Sequence, residues 1–330
     1  MAKLHLTLAC GDYDRTRALS EGVVQPEGID LNYLRIEPEE LFWRMAQYGE
    51  FDSSEFSLAA HGIMMASGED RFIAIPVFPS KSFRHSAVLI NLSAGISKPE
   101  DLKGKRLGVP DYTMTASVWQ RGILQHEYGV HPTDCRWFTG GLDEPGRKQR
   151  VATDPIRHLD IQEIRVPKTL GMMLAEGEID CLLGARAPRC FRERDPRVGR
   201  LWPNFKDVEK DYYRSTGVFP IMHTVVIKRS IYERHPWVAQ SLFKAFDEAL
   251  GTCIRQMTSL GALRYTLPWL IDHVQEAREA LGEDFWAYGL EPNRKSVETL
   301  MQYLFEQGLA RGVTPAEGLF ARETLRQAKV

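Results

Sequence analysis

Two histidines of this chain, His85 and His223, occupy segments where a side chain could move protons. Histidine titrates near neutral pH, so it can serve as a general acid or base. His223 follows the apolar run Phe219–Met222, which would shelter the imidazole from water. The sequence therefore favours a catalytic role for His223. For His85 it leaves catalysis and a packing role equally open.

Cationic and hydroxyl side chains predict a binding site for an anion. Arg84 and Arg186 can each hold a carboxylate through two parallel hydrogen bonds. Thr113 and Thr115 lie where a short apolar strand, Arg106–Val109, is followed by the predicted start of a helix. As N-cap residue types next to free backbone N–H groups, they predict an anion site at that helix start. A solvated surface position remains the alternative for Arg84.

Carboxylates, a serine and aromatic rings complete the candidate site. Asp12 and Glu55 are predicted at loop tips, where Glu55 could accept a proton or interact only with a helix dipole. Asp12 has the alternative of closing the first turn. Ser54 is a further candidate for substrate contact, with helix capping as its alternative. Tyr13 and Tyr112 could contact an aromatic ring.

No sequence motif points to a bound metal or cofactor. His85, His223, Asp12 and Glu55 could together bind a divalent metal, but no HExxH pattern accompanies them, so we predict no metal and keep this alternative open. The chain lacks GxGxxG and GxxxxGK[ST] patterns, which argues against a nucleotide cofactor. A serine nucleophile elbow is also absent.

The elements that must position these residues alternate between strand and helix. This alternation predicts parallel sheets with helices on both faces, arranged as an α/β fold of two lobes with a ligand cleft between them. We expect one lobe to comprise residues 1–90 and 224–330, including a helical C-terminal third, and the other residues 91–223. The predictions that matter most below are a helix at Phe56–Ala66, a strand at His85–Asn91, a polar insertion at 140–158 and a helix at Pro315–Lys329.

Composition excludes several classes of partner. Net charge is −2 over 330 residues, which gives no reason to expect nucleic acid or an anionic membrane. No apolar run approaches the ~20 residues of a membrane span. The N-terminus lacks the apolar core of an export signal, so we expect a cytoplasmic protein. The five cysteines show no CxxC spacing, which fits reduced thiols.

Several segments carry a resemblance to known families. The stretch Lys98–Trp119, with its DLKGK sequence, resembles the second-lobe start of type II periplasmic binding proteins. The segments GGLDEPGR (140–147), MLAEGEIDCLLGARAP (173–188) and YYRSTGVFPIMHTVVIKRSIYERHPW (212–237) together resemble the 4,5-dihydroxyphthalate decarboxylase family. That resemblance implies a type II periplasmic-binding-protein-like fold and a carboxy-lyase of phthalate degradation, in aromatic catabolism.

The reaction implied by the resemblance converts 4,5-dihydroxyphthalate to 3,4-dihydroxybenzoate and carbon dioxide without an organic cofactor. For this chemistry we expect Arg84, Arg186 and the Thr113–Thr115 helix start to hold the carboxylates. His223 is then the proton donor, and His85 or Glu55 accepts the proton of a phenol.

Alternatives remain at the level of the sequence. The chain could be a solute-binding protein for an aromatic or heterocyclic acid, or a decarboxylase of a related hydroxylated diacid. In either case the partner is a small aromatic acid. The helical C-terminal third could also supply the interface of a homo-oligomer.

Overall fold

The structure is a computed structural model that describes residues 2–146, 156, 159–259, 261 and 263–325. The chain divides into two units, each assembled from separate segments. The first unit comprises residues 1–81, 216–298 and 314–330, and the second comprises residues 82–215 and 299–313.

Strands and helices alternate through much of the described chain. The strands are, in chain order, β1 Leu4–Cys10, β2 Ile29–Arg35, β3 Ser53–Ser57, β4 Phe72–Lys81, β5 Val88–Asn91, β6 Arg106–Val109, β7 Arg136–Thr139, β8 Ile161–Glu163, β9 Cys181–Leu183, β10 Val198–Arg200 and β11 Ile221–Lys228. The helices are α1 Arg17–Ser20, α2 Pro38–Tyr48, α3 Leu58–Ala66, α4 Thr115–Tyr128, α5 Leu170–Glu176, α6 Arg189–Arg192, α7 Phe205–Thr216, α8 Arg229–Arg234, α9 Trp237–Met257, α10 Leu270–Leu281 and α11 Arg294–Glu306. Within the described ranges, no helix has both the length and the apolar character needed to cross a membrane.

The first unit is built on a sheet with the strand order β2-β1-β3-β11-β4. Strand β1 runs parallel to β2 and β3, whereas β11 is antiparallel to β3 and β4. In the β3–β11 pair, Glu55 lies opposite Val225 and His223 lies opposite Ser57. Directly opposed residues share a face of a sheet, and so do alternate residues of one strand. Glu55 and His223 therefore face the same side as diagonal neighbours.

The second unit contains a sheet with the order β10-β5-β9-β6-β7-β8. Strands β9, β6, β7 and β8 run parallel, and β5 and β10 are antiparallel to their neighbours. A buried apolar cluster that includes Leu89, Leu174, Ile179 and Leu182 packs in this unit. Both sheets are therefore mixed, and the prediction of parallel sheets holds only for part of each.

Where local pattern is strong, the predicted elements match the structure. The strand predicted at Arg106–Val109 is observed as β6, and the helix predicted to follow it is α4. The prediction of a helix at Phe56–Ala66 is wrong at its start, because α3 begins at Leu58 after Ser57 accepts a hydrogen bond from the Ala60 N–H. The predicted strand at His85–Asn91 is also too long, since residues 85–87 form a 3₁₀ turn before β5.

The predicted helix at Pro315–Lys329 is not formed in its described part. Two 3₁₀ turns, Ala316–Leu319 and Arg322–Thr324, take its place. Between them Phe320 and Ala321 are buried, and the Ala321 N–H donates to the Ala74 carbonyl of β4 at 2.8 Å. Pairing with the sheet thus replaces helical hydrogen bonding. Residues 326–330 and, in the predicted insertion, residues 147–155 and 157–158 lie outside the described residues.

The unit boundaries differ from the predicted lobes at residues 82–90, which belong to the second unit, at residues 216–223, which belong to the first, and at residues 299–313. The predicted first lobe includes residues 299–313, whereas the structure groups them with the second unit. Tyr303 packs edge-on against Trp119 of α4 at 5.5 Å between ring centroids. The Arg121 Nε donates to Gln307 Oε1 at 2.8 Å, in a fully buried contact. These contacts tie the end of α11 to α4.

The packing of Tyr303 on α4 predicts that one added methyl group lowers the stability of the protein. A Cβ atom on Gly122 of α4 would lie 2.0 Å from the Tyr303 ring. Gly122→Ala should therefore lower the free energy of unfolding by about 1–3 kcal/mol, measured by chemical denaturation. Gly312→Ala, where the new methyl meets nothing within 4 Å, is the matched control. Equal stability of the two variants would contradict this packing.

Candidate active site

A buried carboxylate and a half-buried imidazole form the centre of the candidate site in the first unit. Glu55 of β3 is 0% exposed, and its Oε1 lies 2.6 Å from Nδ1 of His223 on β11. A carboxylate can only accept hydrogen bonds, so Nδ1 carries the proton and donates it. The other ring nitrogen, Nε2, has no hydrogen-bond partner within the described chain and is available to a ligand.

The carboxylate of Glu55 receives three further hydrogen bonds. The Tyr13 hydroxyl donates to Oε1 at 2.8 Å, the Gly11 N–H donates to Oε2 at 2.8 Å, and the Cys10 thiol approaches Oε2 at 3.5 Å. Burial by itself raises the pKa of Glu55. The charge and hydrogen bond of His223, with the Gly11 and Tyr13 donors, outweigh burial and hold that pKa below its usual value. Glu55 therefore stays ionised.

The protein fixes the plane of the His223 ring. Phe42 of α2 packs edge-on against it, with ring centroids 4.7 Å apart and an interplanar angle of 82°. Glu55 holds one nitrogen, and the side chain remains 19% exposed. A basic or acidic nitrogen held in this way is pre-organised for proton transfer.

Two other groups beside Glu55 remain protonated. Burial and the Glu55 charge raise the pKa of Tyr13. Burial, then Glu55, raises the pKa of the Cys10 thiol. Both side chains thus act as neutral donors to the carboxylate.

Among the described residues, the remaining candidates of the first unit make no hydrogen bond to the Glu55 carboxylate or to the His223 ring. Asp12 is exposed and lies 3.8 Å from the Arg35 guanidinium. Ser54 is fully buried in β3, with its hydroxyl donating to the Glu55 main-chain carbonyl at 2.6 Å. The prediction that Glu55 lies at a loop tip is wrong, since β3 spans Ser53–Ser57. Helix capping by Ser54 is wrong too, because Ser57 caps α3.

In the second unit, the two predicted arginines belong to adjoining segments. The Arg84 Nη1 donates to the Ala185 carbonyl at 3.5 Å, directly before Arg186. The Gln120 amide of α4 lies between them, donating to the carbonyls of Arg84 and Gly184 at 3.4 Å each. Burial lowers the pKa of Arg84 to about 10 and Glu209 opposes this, so Arg84 stays protonated at neutral pH. Arg186 is exposed.

Both threonines of the predicted anion site are buried. The Thr113 hydroxyl donates to Asp111 Oδ1 at 2.7 Å, and its N–H donates to the same oxygen at 2.9 Å. Helix α4 begins at Thr115 with Met114 as its N-cap, and no side chain caps it. The predicted capping by the threonines is therefore wrong, although the helix starts where predicted.

Tyr112 is held in the interior of the second unit. Its side chain is 5% exposed, and the Arg121 guanidinium carbon lies 3.6 Å from the ring centroid. Trp137 packs edge-on against the same ring. These contacts favour a packing role over contact with a ligand ring.

His85 is buried among aromatic rings. It is 1% exposed and packs against Trp202 and Tyr212, with centroids 5.1 Å and 5.3 Å away. Neither ring nitrogen has a hydrogen-bond partner among the described residues. Burial lowers the pKa of His85 to about 4, so the ring is neutral at neutral pH.

This burial predicts an acid sensitivity of folding. Between about pH 6.5 and pH 4 the unfolded chain binds a proton at His85 that the folded chain does not, so stability falls as the pH is lowered. The limiting slope is about 1.4 kcal/mol per pH unit for one proton. His85→Phe should make the dependence of unfolding free energy on pH shallower. A slope identical to that of the unaltered protein would contradict the prediction. His61, whose pKa burial also lowers to about 4, contributes equally to both proteins.

One feature of the site gave no signal in the sequence. Cys10 and Gly11 lie at the carboxyl end of the first strand, where the rule for α/β sheets expects a ligand. Phe42 packs against His223, yet it has an ordinary apolar setting in the sequence. Within the part of the chain that the structure describes, no group of three or more His, Cys, Asp or Glu side chains could hold a metal ion.

Solved structures with the same architecture define the class of protein. The periplasmic sulfonate-binding protein SsuA of Methylobacillus flagellatus aligns over 98% of this chain and 94% of its own, with TM-score 0.57 and 12% identity. SsuA of Escherichia coli aligns with TM-score 0.53 and 10% identity over 98% and 99% of the two chains. A variant of the enzyme DSZB, in complex with biphenyl-2-sulfinic acid, gives TM-score 0.51 and 13% identity over 98% of each. The chain therefore has a two-lobed type II periplasmic-binding-protein-like α/β fold, as predicted.

Curated relatives narrow the class to a family. The 4,5-dihydroxyphthalate decarboxylase of Comamonas testosteroni is 38% identical over 331 residues, covering both chains completely. That of Pseudomonas putida is 39% identical over 215 residues, which are 65% of this chain and 83% of the relative. No family model matches the chain. The chain belongs to the 4,5-dihydroxyphthalate decarboxylase family.

Proposed function

We propose that this protein decarboxylates 4,5-dihydroxyphthalate to 3,4-dihydroxybenzoate without an organic cofactor, with His223 as the proton donor. The observation that carries the proposal is the His223–Glu55 pair, in which one imidazole nitrogen is held at 2.6 Å and the other is free. Membership of the decarboxylase family supports the substrate and the reaction.

The chemistry explains why a proton donor is needed. Direct loss of carbon dioxide would leave an aryl carbanion, which is too unstable to form. Protonation of the ring carbon that bears the carboxylate avoids this, provided that the phenol para to it releases its proton to the solvent, from which the product phenolate later regains it. The resulting dienone accepts the electron pair of the breaking C–C bond. Carbon dioxide leaves, aromaticity returns, and the net change is one carboxylate plus one proton converted to one C–H bond plus carbon dioxide.

His223 fits the donor role through its geometry. Because Glu55 holds Nδ1, the ring is fixed in orientation and Nε2 is the nitrogen that can transfer a proton to a ligand. Glu55 is fully buried and its oxygens already receive donors from Gly11, Tyr13 and His223. In our proposal Glu55 is therefore a positioning residue that acts through His223, rather than the acceptor of a phenol proton.

His85 has the neutral ring that a proton acceptor needs, but it is too buried to contact a ligand. Its ring is neutral and its nitrogens are unpaired within the described chain, but only 1% of the residue is exposed. The proposal therefore assigns no substrate contact to His85. The His85→Phe variant tests this assignment as well, because an unchanged kcat would exclude a role in turnover.

Arg84 and Arg186 are proposed to hold substrate carboxylates. Both carry a guanidinium group that can bind a carboxylate through two hydrogen bonds, and both lie on adjoining segments of the second unit. The cytoplasmic location and the absence of a metal requirement remain predictions.

The test is to incubate the purified protein with 4,5-dihydroxyphthalate and follow 3,4-dihydroxybenzoate by chromatography. In D₂O the product should carry one deuterium at ring carbon 6, the position that lost the carboxylate. Tight binding of the diacid with no product would contradict the proposal and favour a solute-binding protein. Loss of activity on exhaustive chelation, restored by a divalent metal, would contradict the metal-free form of the proposal.

A further inference from the structure

Arg15 is a cation of the first unit that none of the roles above uses. It lies in the 3₁₀ turn Asp14–Thr16, directly after Tyr13. Its guanidinium carbon is 4.1 Å from the centroid of the Tyr13 ring and 4.8 Å from that of Trp286. The same Tyr13 donates its hydroxyl to Glu55, so one aromatic ring connects Arg15 to the carboxylate that holds His223.

The hydrogen bonds of Arg15 leave part of its guanidinium available. Nε donates to the Pro79 carbonyl, and Nη1 donates to Asp14 Oδ1 at 3.1 Å. Nη2 has no hydrogen-bond partner among the described residues, and 17% of the side chain is exposed. The guanidinium is therefore fixed in orientation with one nitrogen still free to donate.

The surroundings of this free nitrogen suit an aromatic acid. Trp286 packs edge-on against Phe219 with centroids 5.7 Å apart, so apolar rings adjoin the cation. Because the two flanking rings already immobilise the guanidinium, an anion binding there would cost little additional side-chain entropy. Asp14 offsets part of the positive charge, which favours recognition by directed hydrogen bonds over general attraction.

We propose that Arg15 binds one carboxylate of a vicinal aromatic dicarboxylate, in the same unit as His223. This inference rests on the proposed function and extends it, because the four oxygens of a diacid can accept hydrogen bonds from Arg15 in addition to those from Arg84 and Arg186. In the sequence, Arg15 lies in the polar stretch DYDRTR, where it is indistinguishable from a solvated charge.

The experiment compares two small ligands that each carry half of the substrate. Phthalate has both carboxylates and no phenols, whereas catechol has both phenols and no carboxylates. Affinities for each are measured by isothermal titration calorimetry with the full chain. Arg15→Gln should weaken phthalate binding by about 10- to 100-fold, the effect of one charge-assisted hydrogen bond, and leave catechol binding unchanged.

Two variants control for structural damage. Arg17→Gln removes a neighbouring exposed arginine of α1 and should bind phthalate as the unaltered protein does. Arg15→Lys keeps the charge but not the planar fork, and we expect an intermediate loss. If Arg15→Gln does not fold, the phthalate affinity of Arg15→Lys still tests the inference.

Three results would overturn the inference. These are no phthalate binding by the unaltered protein, unchanged phthalate affinity in both Arg15 variants, or equal losses for phthalate and catechol. A failure of this inference can be distinguished from a failure of the proposed function. Phthalate binding that depends on Arg15, in a protein that forms no 3,4-dihydroxybenzoate, would contradict only the decarboxylase assignment.

Discussion

Replacement of His223 by glutamine is expected to lower kcat for 4,5-dihydroxyphthalate by about 10²–10⁴-fold, the usual contribution of a positioned general acid. Glutamine has a similar length and can hydrogen-bond to Glu55, but its amide has no proton to transfer at neutral pH. Substrate binding should change much less, because the proposal assigns the carboxylates to arginines. Steady-state kinetics with product detection measures both quantities.

The control for this substitution is His273→Gln. His273 lies on α10 of the same unit, and its side chain is 52% exposed. We expect normal kcat from this variant. Full kcat in a folded His223→Gln protein, judged by an unchanged melting temperature, would remove His223 from the mechanism.

Replacement of Glu55 by glutamine should have an effect of similar size through a different route. The amide replaces the carboxylate that orients the imidazole, and its NH₂ group would face the hydrogen-bond donors that Glu55 accepts from in the unaltered protein. Loss of the partner that orients a catalytic histidine can lower kcat by as much as about 10⁴-fold in a well-studied triad. We therefore expect kcat to fall by about 10²–10⁴-fold here.

The separate effects on kcat and KM distinguish positioning from structural damage. Without the carboxylate that orients His223, kcat should fall while KM changes little, because the proposal assigns substrate binding to arginines. General destabilisation would instead lower the melting temperature. Glu50→Gln, at an exposed glutamate of the same unit, is the matched control and should leave both kinetic constants unchanged.

Stability supplies an independent measurement on Glu55. Its pKa is lowered in the folded protein, so the ionised carboxylate contributes stability above the unfolded pKa of about 4.3, and this contribution is lost as the pH falls through the folded pKa. Glu55→Gln should be less stable than the unaltered protein at pH 7, with a difference that narrows below about pH 4. A difference that is constant with pH would contradict the ionised state of Glu55.

The sequence predicted shelter from water for His223 but wrongly placed Glu55 in a loop. Both outcomes have one physical reason, which is that a local pattern reports only on neighbours in the chain. The apolar residues before His223 are local, so shelter from water could be predicted from neighbours in the chain. The segment FDSSEF, by contrast, has the polarity of a loop, yet all of β3 is buried. Ser53 is satisfied by the Val226 carbonyl, 173 residues away, and Glu55 by donors from two distant segments. Local polarity cannot reveal such partners.

Local sequence also could not reveal the distant partners of the C-terminal residues or of Arg15. The apolar residues at 319–321 have a spacing compatible with a helix, but they are buried against β4 instead. Arg15 becomes distinctive only through Trp286, which lies 271 positions further along the chain. The α/β class and the central helices were predictable because they depend on periodicity within one segment.

The position of β11 in the first sheet has a consequence for synthesis of the protein. This strand lies between β3 and β4, although both leave the ribosome more than 130 residues earlier. Until residues 221–228 emerge, β3 and β4 each present an unpaired edge, the kind of surface that promotes aggregation. Strand β11, which pairs with both of these edges, also brings His223 into contact with Glu55. Completion of the sheet and assembly of the proposed proton donor are thus a single folding event, and a nascent chain that stops short of β11 has neither.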